Sequence, residues 1–442
     1  MKKLFLALMA IAAIAAIALT SCCKDETPGP TITEGTKITA LRSHTQTSPN
    51  PLNAENCKSA KAEETLKSLR CAYGNHLYYM DYLIENPVAS IIKSGDERYE
   101  YGDGTTGIKV LKEFQDQLFK TPYPIELFVS PLACSGFVCK NTKGELLVGR
   151  NMDSKAGNIV VLFHKNPQPG EYKFVAFSNT HYNGTMFGKK YGEDGVFLDG
   201  TSNLDFLLTN TVCTLDGMNE KGLVYTTFQL PAFQNPNAPD GTNNPFPVNQ
   251  DKKKDKSLKQ LPSTMAFVYT ILAKCATVKE VEEKLKNEFD YTALNFNLNV
   301  HWMIADASGD NAIFEYWKDS LYVLRAEERR LIGFNTKSVV PYEYNSMENY
   351  YYNIEAASTY EKDAWQYSFS TKRRAHAMMS NYLPVMDEFQ ALKCLQYGCY
   401  GIEFPDEVTN YSCVYNPVQR TMLFNVRNDM TNAFTIDLKK EL

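Results

Sequence analysis

The order of segments after residue 133 predicts an α+β fold, with antiparallel sheets covered by helices. Three observations carry this. Short apolar runs come in pairs around turn residues, helical stretches fill the gaps between pairs, and no Gly-rich phosphate loop follows a strand. No internal repeat interrupts the pattern.

Taken in order, Ser135 to Cys139 and Glu145 to Asn151 flank the turn Asn141-Thr142-Lys143-Gly144 and read as a hairpin. Asn158 to His164 and Tyr172 to Ser178 read as further strands. Phe206 to Leu215 and Leu223 to Leu230 bracket Asn219-Glu220-Lys221-Gly222. Asn299 to Ala305, Ala312 to Trp317 and Leu321 to Leu324 follow, and Tyr411 to Tyr415 pairs with Thr421 to Val426 across Asn416-Pro417. Between them, Ser263 to Ala276, Val278 to Asn287, Thr371 to Tyr382 and Met386 to Gln396 read as helices. Thr277 and Glu280 form a capping box for the second of these.

The residues before this body have a different texture. Lys2 and Lys3 precede an apolar run, Leu4 to Leu19, too short to span a bilayer comfortably and typical of a secretory signal. Leu19-Thr20-Ser21-Cys22 resembles the bacterial lipobox, in which the Cys is diacylated, so Cys22 is the expected lipid anchor. Lys24-Asp25-Glu26 is similar to an acidic signal for export to the outer face. The expected location is the bacterial cell envelope, anchored to the outer membrane. Residues 22–58 are Thr-, Pro-, Ser- and Asn-rich and read as a flexible tether. Over residues 59–133, Leu66, Leu69, Tyr73, Leu77, Met80 and Leu83 recur at three- and four-residue steps, and Val110, Leu111, Phe114 and Leu118 form a second stripe. This predicts a helical pre-segment.

Composition narrows the chemistry. In 442 residues the formal net charge is -5, so there is no basic field for a phosphate backbone and nucleic acid is an unlikely partner. The 6 His, without a His-Glu-x-x-His or Cys-x-x-Cys pair, predict no metal and no organic cofactor. Cys57 with Cys71, and Cys394 with Cys399, are candidate disulfides for an oxidising compartment. Gly-x-Ser-x-Gly is absent.

One segment carries a nucleophile pattern: Cys134 opens a strand, and Arg150 and Asp153 return beside it through the hairpin. A cysteine needs a base or cation to act as thiolate. Were Cys134 the first residue of a mature chain, its α-amine would accept the thiol proton, Arg150 would hold the thiolate or a substrate carbonyl, and Asp153 would orient the amine. The residues alone favour a buried Cys with a surface Arg–Asp pair.

Cys134 followed by Gly149-Arg150-Asn151-Met152-Asp153, with Arg and Asp sixteen and nineteen residues after the Cys, resembles the choloylglycine hydrolase family. So do Asp216 to Leu223, His301 to Asp306 with Gly309, Gly333-Phe334-Asn335-Thr336 and Thr409-Asn410-Tyr411-Ser412. The resemblance implies an αββα sandwich of N-terminal-nucleophile hydrolase type over 134–442, cleaving a linear amide of an N-acyl compound. Conjugated bile acids, N-acylethanolamines and N-acyl amino acids are the expected substrate classes. It further implies Cys134, Arg150, Asp153, Asn335 and Arg373 as catalytic residues, with Lys372 and Arg374 as alternatives to Arg373, and Gln229 and Asn219 for substrate or oxyanion. Gln229 stands where bile salt hydrolases have Asn. The long pre-segment is similar to that of acid ceramidase and its amidase relatives, where self-cleavage exposes the Cys and leaves two associated chains. The reading from another class is a non-catalytic surface lipoprotein binding acyl or glycan ligands. Homo-oligomer formation is left open.

Overall fold

The structure is a computed structural model. It describes residues 35–43, 54–74, 76–85, 88, 104–125, 133–181, 204–229, 259–292, 300–317, 320–325, 328, 330–332, 339–341, 346–348, 378, 380–399 and 408–442. Cys22, Asn335, Lys372, Arg373, Arg374 and most of the helix expected over Thr371 to Tyr382 lie outside the described residues.

The expected hairpins form. β4 (Ala133–Lys140) pairs antiparallel with β5 (Leu146–Ser154), β8 (Thr214–Asn219) with β9 (Val224–Gln229), β12 (Val300–Ala305) with β13 (Asn311–Trp317), and β18 (Val408–Asn416) with β19 (Thr421–Val426). The turn chemistry explains the registers. Asn141 Oδ1 accepts the Lys143 and Glu145 N–H groups, and Gly144 takes φ +79. Gly222 takes φ +87, where a Cβ would lie 2.2 Å from the Pro417 carbonyl oxygen.

Two large sheets result. One runs β1 (Lys37–Ala40), β20 (Asn432–Asp437), β19, β18, β5, β4 and β17 (Ser346–Glu348). The other runs β14 (Ser320–Leu324), β13, β12, β9, β8, β7 (Phe174–Asn179), β6 (Ile159–His164), β3 (Leu77–Tyr82) and β2 (Arg70–Tyr73). Cys134, Val138, Val148 and Met152 of the first face Val161, Phe163, Val224 and Phe228 of the second across a buried inter-sheet layer. On the outer side of the nine-stranded sheet, Val160, Leu162, Tyr225 and Trp302 are covered by Leu66, Phe114, Ile271 and Val281. These come from α1 (Ala60–Lys67), α2 (Gly104–Leu118), α3 (Ser263–Lys274) and α4 (Val278–Asn287), respectively. Phe137, Leu147 and Val414, on the outer side of the other sheet, take Leu392 and Leu395 of α5 (Glu388–Gln396). The layers are therefore helix, sheet, sheet, helix, as expected.

The pre-segment departs from its expected helical character. α1 and α2 are helices, but Arg70–Tyr73 and Leu77–Tyr82 are strands, and Lys37–Ala40, read as tether, is a strand as well. β3 is almost wholly buried, so both its faces are apolar and the period of two is lost from the sequence. These segments join the body by parallel pairing: β3 lies along β6 from Leu77↔Ile159 to Tyr82↔His164, and β1 along β20 from Lys37↔Asn432 to Ala40↔Thr435. Between them, Arg42 pairs with Asp81 and, at 2.6 Å, with Glu441, its guanidinium over the Tyr79 and Phe163 rings. A second difference is Asp205–Val212, read as strand, which forms 3-10 turns.

Burial alone would raise the Asp81 carboxyl, but Arg42 and Lys165 outweigh it and hold it below its usual range. A depressed carboxylate stabilises above its unfolded pKa and loses that contribution as pH falls through its lower folded value, here below about pH 4. Asp81→Asn is expected to lower stability by ~1 kcal/mol in urea melts near neutral pH and by clearly less at about pH 3. An equal difference at both pH values would remove the assignment. Among the described residues Cys57 is not joined to Cys71, nor Cys394 to Cys399, so neither candidate disulfide is present in the structure.

Candidate active site

The β4–β5 register sets the site. Ala133 lies opposite Asp153, Cys134 opposite Met152, and Gly136 opposite Arg150. Alternation puts Cys134, Arg150 and Met152 on the inter-sheet face. Cys134 is fully buried, as are Arg150 and Asp153.

The Arg150 guanidinium is held on all sides. Nε pairs with Asp216 at 3.2 Å, one terminal nitrogen donates to the Thr227 carbonyl at 2.5 Å and the other to the Asn151 carbonyl. Its plane lies 4.4 Å from the Phe228 ring centroid, and it hydrogen-bonds the Cys134 thiol. Asp216 also accepts the Thr227 N–H at 2.9 Å and the Tyr411 hydroxyl. Asp153 accepts the Thr409 hydroxyl. The charged centre is thus an Arg–Asp pair in an apolar layer, with every donor directed.

Electrostatics follow from this placement. Burial pushes the Cys134 thiol above its usual range, Arg150 pulls it back down, and Asp153 and Asp216 add to the rise. Burial works against the charge of Arg150, but Asp216 and Cys134 keep it firmly protonated. By contrast Cys139 and Cys394 are pushed up to about 12, chiefly by burial. In the uncut chain the Cys134 nitrogen is an amide and cannot take the thiol proton.

The other expected site residues fall differently. Asn219 is not a ligand-facing group: its amide donates to the Leu272 and Cys275 carbonyls at 2.8 and 2.7 Å, and its oxygen accepts the Lys221 and Leu223 N–H groups at 3.0 Å. It clasps the β8–β9 turn to the end of α3, and no polar valence is left for substrate. Gln229 ends β9 opposite Val300 and, by alternation, shares the face of Tyr225 rather than that of Phe228. Among the described residues, no group of His, Cys, Asp and Glu is placed to hold a metal ion, and no helix is long and apolar enough to cross a membrane.

Sequence reasoning gave no role to Asp216, Phe228 or Tyr411. The available signal was an aspartate within a strand whose every residue is buried, which requires a partner of opposite charge. Gly136 has a steric reason: a Cβ there would lie 2.6 Å from the Gly149 carbonyl oxygen and 2.9 Å from Phe228 Cζ. Gly136→Ala is expected to destabilise by ~1–3 kcal/mol and to slow any reaction at Cys134, because Phe228 or β4 must shift. Unchanged melting and turnover would refute this.

The family model for linear amide C–N hydrolases, choloylglycine hydrolase family, matches residues 134–351, starting at Cys134 itself. Over those residues the chain belongs to the choloylglycine hydrolase family. A bile salt hydrolase/transferase of Clostridium perfringens is 30% identical over 195 residues, a match spanning 43% of this chain and 50% of that relative. Among solved structures, penicillin V acylase from Agrobacterium tumefaciens is similar at a TM-score of 0.43 and 19% identity, covering 70% of this chain and 87% of that one. A mutant conjugated bile acid hydrolase from Clostridium perfringens gives 0.41 and 18%, covering 70% and 93%. This choloylglycine hydrolase family segment holds Cys134, Arg150, Asp153 and Asp216, while Thr409 and Tyr411 reach them from beyond it.

Proposed function

We propose that the chain is a cysteine amidohydrolase that cleaves a linear amide of an N-acyl compound, with Cys134 as nucleophile. The observation that carries the reading is the Cys134 thiol, buried against the Arg150–Asp216 pair at the residue where the family match begins. Hydrolysis of the Ala133–Cys134 peptide frees the Cys134 α-amine. The amine takes the thiol proton, and the thiolate, stabilised by Arg150, attacks the substrate carbonyl. Asp153 orients the amine. The oxyanion is held by Asn335 and Gln229, each donor worth ~3 kcal/mol. For Gln229 this requires its amide to reach across from its present face. Arg373 completes the charged cluster. The protonated amine returns its proton to the leaving nitrogen, the C–N bond breaks, and water hydrolyses the thioester with the amine as base.

The acyl group is proposed to be a bile acid or fatty acyl chain, and the amine an amino acid or ethanolamine. A lipid on Cys22 would place the protein on the outer membrane of the cell envelope. The test is N-terminal sequencing and intact mass of the purified protein, then a panel of acyl amides. A chain beginning at Cys134 that turns over one of them supports the proposal. An uncut chain that is inert at neutral and low pH, and whose Cys134 resists an electrophilic acyl probe, overturns it.

A further inference from the structure

We propose that His301 and Glu315 are positioning residues for Arg150, acting through Phe228, so that a row of side chains across three strands holds the guanidinium against Cys134. The proposal rests on the reading of Cys134 as nucleophile. Among the described residues, only two contacts between a basic and an acidic side chain have both partners fully buried: Arg150 with Asp216, and His301 Nδ1 with Glu315 at 3.0 Å. One ring joins them. Phe228 lies opposite His301 in the β9–β12 register and meets it edge-on, with centroids 6.0 Å apart and an 88° interplanar angle. Its face carries Arg150 at 4.4 Å. Glu315 lies on the rung beyond Trp302↔Phe314, across from His301. Gly136, two residues after Cys134, packs against the ring: a Cβ there would lie 2.9 Å from Phe228 Cζ.

Burying a carboxyl group and an imidazole with no exposed surface is unfavourable, and an apolar pair would fill the same rung without that cost. What an apolar pair would not supply is a directional hydrogen bond that fixes the imidazole edge, and through it the plane of Phe228. A ring edge against a ring, and a ring face beneath a guanidinium, are both orientation-dependent contacts. The row therefore transmits a position rather than a charge.

This separates two effects by sign. Among the described residues, the charged groups acting on Cys134 are Arg150 and Asp153 on β5 and Asp216 on β8, with Tyr411 on β18 beside Arg150 and Asp216, and His301 on β12 and Glu315 on β13 behind Phe228. If Glu315 acted on Cys134 by its charge, Glu315→Gln would make the thiolate easier to form. If it acts by position, the same change loosens Phe228 and Arg150 and makes the thiolate harder to form.

The experiment is a thiolate titration of the whole purified protein by difference absorbance near about 240 nm against Cys134→Ala, with kcat and KM measured on a hydrolysed acyl amide. Phe228→Leu and Glu315→Gln are each expected to move the Cys134 titration to higher pH and to lower kcat ~10-fold at neutral pH with KM nearly unchanged. A wild-type titration in Glu315→Gln, or a shift to lower pH, overturns the proposal. Glu315→Gln preserves volume and so remains informative should Phe228→Leu fail to fold. Turnover retained in Cys134→Ala would instead remove the nucleophile reading, while the titrations still report whether the row positions Arg150.

Discussion

Replacing Cys134 with alanine is expected to abolish amide hydrolysis, by at least about 10⁴-fold, and to leave the Ala133–Cys134 bond uncut. Both losses share one cause. On the proposed reading one thiol attacks both the substrate carbonyl and the preceding peptide carbonyl, with Arg150 as the cation beside it. Structural damage is expected to be small, because alanine removes one sulfur from a layer otherwise built of Val138, Val148, Met152 and Phe228. Mass spectrometry reads the cut, a substrate panel reads turnover, and a melt within a few degrees of wild type separates chemistry from folding. Activity retained in a folded variant would end the assignment.

The largest effect on stability is expected at Asp216. Replacing it with leucine leaves the Arg150 guanidinium buried without its counter-charge and removes the acceptor of the Thr227 N–H and the Tyr411 hydroxyl. Breaking a fully buried pair from one side costs about 3–5 kcal/mol. Arg150→Met should cost a similar amount, since it strands the carboxylate instead. The double variant Arg150→Met/Asp216→Leu is expected to recover much of the loss, because two apolar side chains suit the inter-sheet layer, and yet to be inactive. Urea unfolding of the three variants checks this. Additive losses in the double variant would mean that the pair is not one energetic unit.

The body of the fold was legible where turn chemistry is explicit. Asn141 with Gly144, and Asn219 with Gly222, punctuate apolar runs, so strands and register could be read together. The pre-segment was not, because Leu66, Leu69, Tyr73, Leu77, Met80 and Leu83 recur at helical spacing by coincidence. In fact, Leu66 belongs to a helix, Tyr73 ends a strand at a left-handed Gly74, and Leu77 and Met80 sit on a strand apolar on both faces. At the site, Cys134, Arg150 and Asp153 were readable from one hairpin, since their neighbours in space are neighbours in sequence. Asp216, Phe228 and Tyr411 reach Arg150 from the facing sheet or another hairpin, which no local spacing encodes. Asn219 misled because an asparagine that closes a turn and one that binds a substrate are the same residue type.

The two parallel pairings of the pre-segment give the molecule a history. β3 lies beside β6 in one sheet and β1 beside β20 in the other, on opposite sides of the Ala133–Cys134 bond in sequence. While the chain is continuous, those pairings close as loops within one polypeptide, at an entropic cost that grows only slowly with length. A cut at that bond would make them contacts between two molecules, held by the same hydrogen bonds but re-formed, once lost, only by encounter at finite concentration. The intact chain keeps both partners of each pairing tethered through unfolding, whereas the cut protein would carry a conformation inherited from its precursor. Its persistence would be a matter of lifetime rather than equilibrium.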